Sequence, residues 1–338
     1  MKFFSRSSKI TKGLINIIGV SLVLFSIGMS ISYGATKVDL HTVWQAIFQF
    51  SEGVQAHQVI WELRIPRALA AVLVGAFLAM SGAVMQGMTR NPLASPSIMG
   101  VTDGAAFMLV IILAFYPAAS NIGLTFATFI GAGIAVTLVF LVGSFSSSGL
   151  TPIKLALAGV AIGTLLRSIS SILSLHFQLE KDMGFWLAGG LDGADWNAVT
   201  ILLFAGVVGV VLALTISKSI TVLSLGDDLS TGLGQNNTLI KITGIVVVLI
   251  LTGAAVSVAG AVGFVGLIIP HITRFIIGTD YRWIIPTSAV FGALLLVNAD
   301  LIARMINAPF ETPVGSITSI IGVPFFLYLA RGSGGDKK

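Results

Sequence analysis

The sequence has no cysteine and little charge. Of its 338 residues, 10% are charged, 14 of them acidic and 19 basic, whereas about 25% are charged in an average soluble domain. The absence of cysteine excludes disulfides, thiol catalysis, iron–sulfur clusters and cysteine zinc sites. The shortage of charge leaves too few groups to cover a soluble globule of 35.3 kDa. A soluble enzyme is therefore excluded.

Motifs for nucleotide and metal binding are also missing. The sequence contains no Gly-x-x-x-x-Gly-Lys-Ser/Thr loop and no His-Glu-x-x-His pair. Its four histidines are scattered along the chain, at His41, His57, His176 and His271. The pI near 9.6 is not accompanied by a basic stripe of the kind that binds nucleic acid. We therefore expect a chain that is not an enzyme, has no catalytic or metal-binding residues, binds no cofactor and has no nucleic-acid partner.

Long apolar runs dominate the sequence, which is 55% hydrophobic with a mean hydropathy of +0.98. Ten such runs lie near 13–33, 67–86, 98–117, 121–143, 152–176, 197–217, 241–260, 263–277, 284–303 and 315–330. Most are long enough to cross about 30 Å of hydrocarbon as helices, and the first is too long for a cleaved signal peptide. The short run 263–277 has glycine every third residue at its start, so we expect it to be broken or re-entrant. These runs predict an all-α, polytopic membrane protein with about ten transmembrane helices.

The basic residues predict its orientation, because Lys and Arg accumulate in cytoplasmic segments. With both termini in the cytoplasm, the inner segments hold Lys2, Arg6, Lys9, Lys12, Arg90, Lys154, Lys218, Lys241, Arg274, Arg282, Arg331, Lys337 and Lys338, thirteen in all. The outer segments hold only Lys37, Arg64, Arg67, Lys181 and Arg304. We expect a cytoplasmic segment 1–12, one transmembrane domain 13–331 and a cytoplasmic tail 332–338.

A membrane protein without catalytic residues is most simply a transporter. Ion-driven carriers usually keep carboxylates within their spans, and here only Asp103 and Asp300 lie in or near the predicted spans. This pattern argues against an ion-coupled secondary carrier without excluding it. A membrane scaffold or receptor that transports nothing is a further alternative.

Four ordered blocks carry a resemblance to a known family. They are Leu63-Arg64-Ile65-Pro66-Arg67 with the later Arg90-Asn91-Pro92-Leu93-Ala94, then Leu223-Ser224-Leu225-Gly226-Asp227-Asp228, Gly263-Phe264-Val265-Gly266 through Pro270-His271, and Pro313-Val314-Gly315 with Gly322-Val323-Pro324. In this order they resemble the FecCD family, the permease subunits of bacterial ABC importers for iron–siderophores, haem and cobalamin. Within it, the sequence is most similar to catecholate-siderophore permeases of Gram-positive bacteria.

The resemblance implies a ferric-siderophore importer in the bacterial cell membrane, with haem or cobalamin as alternative cargo. It implies a second permease subunit, identical or paralogous, two ATPase subunits that bind ATP and Mg²⁺, and an extracellular siderophore-binding protein or lipoprotein. It assigns docking of that protein to Arg64, Arg67 and Arg304. Two structural alternatives remain: the first two arginines could snorkel at the interface, and Arg304 could pair with Asp300 four residues earlier.

The segment 224–237 is the longest polar stretch on the predicted inner side. Its pattern predicts a short helix with Asp227 as N-cap, Gly234 as C-cap, and Leu229 and Leu233 on one face. The resemblance implies that it couples to the ATPase through Gly226, Asp227, Asp228, Leu229, Leu233 and Gly234. Such a leucine face could also lie on the membrane.

The run 152–178 contains a polar stripe at helical spacing, formed by Thr164, Arg167, Ser171, Ser174 and Gln178. Polar faces within a span usually face a bundle interior or a wet cavity, so we expect this stripe to line the translocation pathway. The alternative is that its hydroxyls bond back to their own helix. For Pro270 and His271 we expect a kink and an imidazole with its hydrogen bonds satisfied.

Overall fold

The computed structural model describes residues 8–34, 38–144, 152–308 and 310–333. These ranges contain fourteen α-helices and no strand. The helices are α1 Lys9–Ser32, α2 Leu40–Phe48, α3 Gln55–Val59, α4 Ile65–Thr89, α5 Val101–Phe115, α6 Asn121–Ser144, α7 Pro152–His176, α8 Glu180–Ala188, α9 Trp196–Leu223, α10 Asp227–Gly232, α11 Asn237–Ala259, α12 Val265–Ile277, α13 Tyr281–Ile306 and α14 Val314–Ser333. Of the predicted terminal segments, residues 1–7 and 334–338 lie outside the described ranges.

Each of the ten predicted runs coincides with one apolar helix. Seven helices in the described residues are long and apolar enough to cross a membrane, namely α1, α6, α7, α9, α11, α13 and the continuous stretch Gln55–Thr89 that ends with α4. Three apolar helices, α5, α12 and α14, are shorter. The all-helical membrane architecture is therefore confirmed, and the count of ten spans stays a prediction.

The second run starts earlier than its hydropathy predicted. We expected it to begin at residue 67, but the helical stretch begins at Gln55 and passes through a π turn, Ile60–Arg64, into α4. Pro66 follows the π turn as the second residue of α4, and the helical stretch continues through it. Arg64 and Arg67 are consequently helical residues.

Helix α4 is the centre of the molecule and packs against α13, α11, α9 and α12. Two glycines allow its backbone to approach its neighbours closely. A Cβ on Gly75 would clash with the carbonyl of Gly292 on α13, and a Cβ on Gly82 would clash with the carbonyl of Gly266 on α12. Small residues at helix contacts are typical of membrane bundles. Helices α5, α6 and α7 form a neighbouring group that joins the centre through α6 and α11.

The glycines at 260 and 263 mark a break that precedes α12, whereas the run 263–277 itself forms one continuous helix from Val265, so the predicted break within the run is wrong. Helix α11 ends at Ala259, and α12 starts only at Val265. Between them Gly260 has φ 64° and Phe264 has φ 67°. The Ala261 N–H donates to the carbonyl of Trp186 at 3.3 Å. Neighbouring segments thus satisfy part of the non-helical backbone, as a bilayer requires.

Two ends of the bundle carry the polar sites. The end with Arg64, Arg67 and Arg304 is here called the arginine-cluster end. The opposite end of α4 carries Arg90, which contacts α10, and is called the α10 end.

Candidate docking, coupling and pathway sites

At the arginine-cluster end, Arg64 belongs to the π turn and is buried at 7% exposure. Its Nη1 donates to the carbonyl of Ile31 at 2.7 Å and to that of Ser32 at 3.2 Å. These carbonyls belong to the last turn of α1, where they have no intrahelical partner. Arg64 therefore caps the C-terminus of α1 and does not snorkel toward water.

Arg67 and Arg304 share one buried carboxylate. Arg67 donates through Nε and Nη2 to Asp300 at 3.1 and 3.0 Å, and Arg304 Nε lies 3.1 Å from Asp300 Oδ2. The Asp300 side chain is 0% exposed. Nη2 of Arg304 also donates to the Ser30 hydroxyl at 2.6 Å. The expected pairing of Arg304 with Asp300 is thus confirmed, and it ties α13 to α4 and α1.

The outward-facing part of this cluster is Glu311, in the connection between α13 and α14. Nη1 of Arg67 donates to both Glu311 oxygens, at 2.8 and 3.0 Å, and the Glu311 side chain is 49% exposed. All three predicted docking arginines therefore have contacts within the chain. Their role in docking stays a prediction, and Glu311 is a further participant in this cluster.

At the α10 end, the segment 224–237 forms the predicted short helix. The Gly234 N–H donates to Thr231 O and the Gln235 N–H to Ser230 O, at 2.9 and 3.0 Å. This is the Schellman pattern of helix ends, with Gly234 at φ 80°. The predicted C-terminal glycine is confirmed.

The leucines of α10 face away from the protein. Leu229 is 61% exposed and Leu233 is 72% exposed, whereas Ser230 on the other side is buried and binds Asn237 through its hydroxyl at 2.7 Å. An apolar pair held outward by buried polar contacts is suited to covering by a partner.

Asp227 has a different role from the predicted N-cap. The helix begins at Asp227 itself, and Gly226 with φ 135° occupies the cap position. The Asp227 carboxylate lies 3.2 Å from Arg90 Nη2 and 3.1 Å from Lys241 Nζ. It therefore joins α10 to the ends of α4 and α11, because two cations compete successfully for the carboxylate that would otherwise cap the helix.

Asp280 is the other acid of this end and precedes α13. It accepts from the Arg282 backbone N–H at 3.0 Å and caps the helix. The hydrogen bond from the Arg282 side chain holds the pKa of Asp280 below its usual range, and burial opposes this effect.

The polar stripe of α7 is shorter than its spacing predicted. Thr164, Arg167 and Ser171 are exposed, as expected for one accessible face. Ser174, however, is buried at 6% exposure, and Gln178 lies beyond the end of the helix with φ 58°. Gln178 therefore does not continue the helical face, because the helix ends at His176, and Ser174 points toward neighbouring helices. A role of these two residues in the pathway stays a prediction.

Arg167 has an acidic partner. Its Nη2 and Nε lie 2.9 and 3.1 Å from Asp103 Oδ1 on α5. A Cβ on Gly163 would clash with the Asp103 carboxylate, so the glycine provides the space for it. The Arg167 side chain is 69% exposed in this chain, and that of Asp103 is 18% exposed. Sequence reasoning singled out both residues separately, but the contact between helices α5 and α7 carries no sequence signal.

The serine hydroxyls of α7 bond back to their own helix, which is the alternative that the sequence left open. Ser168 donates to Thr164 O at 2.9 Å and Ser171 to Arg167 O at 2.9 Å. Each hydroxyl thus satisfies its own donor within the helix and leaves its oxygen lone pairs toward the open side.

Near the break, the expectation for His271 is wrong. Its buried Nδ1 has no hydrogen-bond partner among the described residues, and its ring packs edge-on against Phe325 at 5.9 Å. Within the described ranges, no three His, Cys, Asp or Glu residues lie close enough together to hold a metal ion.

Comparisons with known proteins bear on these sites. The model of the FecCD transport family matches residues 22–332. The iron(3+)-hydroxamate import system permease protein FhuB of Bacillus subtilis is 56% identical over 94% of this chain and 83% of that protein. The iron-uptake system permease protein FeuB of the same organism is 44% identical over 93% of this chain and 94% of that protein. A solved structure described as a metal-chelate type ABC transporter, in an inward-facing conformation, matches with a TM-score of 0.83 and 29% identity over 95% of this chain and 99% of that one.

Proposed function

This chain belongs to the FecCD transport family and is the permease of an ABC importer for iron–siderophores, and we propose that its cargo is a ferric hydroxamate. The relative at 56% identity is named as a permease for iron(3+)-hydroxamate, which favours hydroxamate over the expected catecholate. The polar wall of α7 supports the same choice. Its one guanidinium is neutralised by Asp103, which suits a neutral ferric trihydroxamate better than a strongly anionic ferric catecholate.

The α10 end faces the cytoplasm, with both termini on that side and about ten spans in the plasma membrane. The excess of Lys and Arg in the segments of this end supports the orientation. The three short helices α5, α12 and α14 cross or partly cross the bilayer, where neighbouring helices cover their non-helical ends. The hydrogen bond from Ala261 to Trp186, in the break at 260–264, is an example of such cover.

Two ATPase subunits bind at the α10 end and hydrolyse ATP with Mg²⁺. The exposed Leu229 and Leu233 enter a pocket of one ATPase, and ATP-driven closure moves α10. The pairs of Asp227 with Arg90 and Lys241 support this role, because they transmit displacement of α10 to α4 and α11. The ends of α10 are formed by Gly226 and Asp228 at its start and by Gly234 shortly after its end.

The exposed face of α7 lines the pathway, opposite a second permease subunit. The observation that carries this assignment is the position of Arg167. It lies 15 residues after Pro152, where α7 begins, and therefore about 22 Å along the helix. Exposure of such a charge to lipid is costly, so water or protein covers this face. Thr164 and Ser171 lie on it beside Arg167.

An extracellular binding protein docks at the arginine-cluster end through its carboxylates. Asp300 occupies one side of Arg67, and the half-exposed Glu311 occupies Nη1 on the other. A docking carboxylate therefore reaches Arg67 by taking the place of Glu311. Arg304 holds Asp300 in place from the same helix and also binds Ser30 of α1, and Arg64 ties the π turn before α4 to Ile31 of α1.

The cargo is tested by uptake of radioactive iron. A strain without its own permeases would express this chain with its ATPase and binding protein, and would receive iron as a trihydroxamate, a triscatecholate, citrate or haemin. We expect accumulation from the hydroxamate alone. Accumulation only from the catecholate, citrate or haemin would show that this compound is the cargo instead of a hydroxamate. Uptake that persists with an inactive ATPase would indicate an ion-coupled carrier.

A further inference from the structure

An open cavity of about 220 Å³ lies at the α10 end. Its walls come from the end of α4, the end of α9, α12 and the start of α13, and its polar lining includes Gln86, Arg90, Ser224, Arg274 and Tyr281. Two of these side chains are cationic, and no carboxylate lines the cavity. A wall of this composition attracts anions.

Arg274 is the uncompensated charge of the cavity. Among the described residues it forms no ion pair, and its Nη2 is buried without a hydrogen-bond partner. Two acids of this end have other partners, since Asp227 pairs with Arg90 and Lys241 and Asp280 pairs with Arg282. The third, Asp228, is exposed on α10 and forms no ion pair among the described residues.

Gln86 adds a second unpartnered atom to the same wall. Its Nε2 donates to Leu267 O at 3.2 Å, but its buried Oε1 accepts no hydrogen bond. Buried polar groups without partners usually mark an ordered water or ion. The cavity thus presents an unused guanidinium donor and an unused acceptor.

We propose that this cavity binds a phosphate oxyanion. The guanidinium of Arg274 donates to its oxygens, the hydroxyl of Tyr281 supplies a further donor, and a protonated phosphate oxygen donates to Gln86 Oε1. At about 30 Å³ per water, the cavity has room for a phosphate and several waters. The phosphate is either soluble or the headgroup of an anionic phospholipid.

The cavity is also linked to α10. Arg90 lines it and at the same time lies 3.2 Å from the Asp227 carboxylate. A bound anion therefore shares Arg90 with Asp227, and its presence changes how firmly α10 is attached to α4. This consequence rests on the proposed coupling role of α10, whereas the binding of the anion does not.

Binding is tested with the full-length permease in a phosphate-free maltoside detergent. Thermal unfolding is followed by tryptophan fluorescence while inorganic phosphate is titrated at constant ionic strength. In a parallel arm, phosphatidylglycerol is compared with zwitterionic phosphatidylcholine. We expect a saturable rise of the midpoint in one arm, and that arm identifies the source of the phosphate.

Three variants make the test specific. Arg274→Gln should weaken the apparent affinity at least about tenfold, since it removes a charge-assisted contact. Gln86→Glu should remove the response, because it supplies an internal anion to Arg274, while its own midpoint falls through the lost bond to Leu267 O. Lys218→Gln, an exposed cation in α9 outside the cavity, is the matched control and should respond like the wild type. The absence of a saturable response in both arms, or an unchanged response of Arg274→Gln and Gln86→Glu, would overturn the proposal.

Discussion

Arg167 and Asp103 join α7 to α5 through an ion pair of 2.9 Å within the apolar length of the bundle. The arginine donates with two nitrogens to one oxygen, Asp103 Oδ1. The other carboxylate oxygen points toward Gly163, where any larger residue would clash with it. Three residues on two helices thus create one polar, electrically neutral patch.

Neutralising one member of this pair should destabilise the protein. Asp103→Asn leaves a guanidinium without a counter-charge, and we expect a loss of roughly 2–3 kcal/mol, less than for a fully buried pair because Arg167 is exposed. The thermal midpoint of the purified permease measures it. The double variant Asp103→Asn with Arg167→Gln should be more stable than either single variant. Additive losses would show that the pair contributes nothing.

Cysteine labelling should distinguish the two sides of α7, since the chain has no native cysteine. Single cysteines at Thr164, Ser168 and Ser171 should react with a membrane-impermeant thiol reagent in the assembled transporter. Cysteines at the buried Leu166 and Ser170 are the matched controls and should not react. Loaded binding protein or ATP should change the reactive rates. Protection of the exposed positions in every state would remove α7 from the pathway.

Replacing Leu229 and Leu233 with Asp should detach the ATPase, because the exposed apolar face of α10 is lost. Co-purification of the two subunits measures this. Gly232→Asp is the control, since it adds the same charge in open space on the side that carries Asp228. Normal yield of the ATPase with both leucines replaced would assign coupling to another segment.

Glu311→Gln should tighten docking of the binding protein, because Arg67 Nη1 no longer has a competing carboxylate. We expect a gain of about three- to tenfold in affinity, measured by biosensor at low salt, where surface charges are least screened. Glu52→Gln, another exposed acid before α3, should leave the affinity unchanged. The gain should disappear when Arg67→Gln is added. Weaker binding of Glu311→Gln would mean that Glu311 itself contacts the partner.

Hydropathy and glycine spacing predicted much of this fold because lipid imposes strong rules on each segment alone. The predicted start of the second run at residue 67 was wrong because a π turn keeps Ile60–Arg64 helical. Local composition does not reveal such a turn. The contacts of the candidate sites are tertiary. Asp300 with Arg67, Asp103 with Arg167 and Asp227 with Arg90 each join distant segments, so spacing predicts their polar members but not their pairs.

The length of α4 has a mechanical consequence. Its 25 residues, Ile65–Thr89, extend for about 37 Å, with Arg67 near one tip and Arg90 directly after the other. A tilt of about 10° around the midpoint displaces the two tips by about 3 Å each, in opposite directions. One helix therefore connects the ion pairs of Arg67 with the ion pair of Arg90 and α10. A displacement of either end of α4 moves the other end directly.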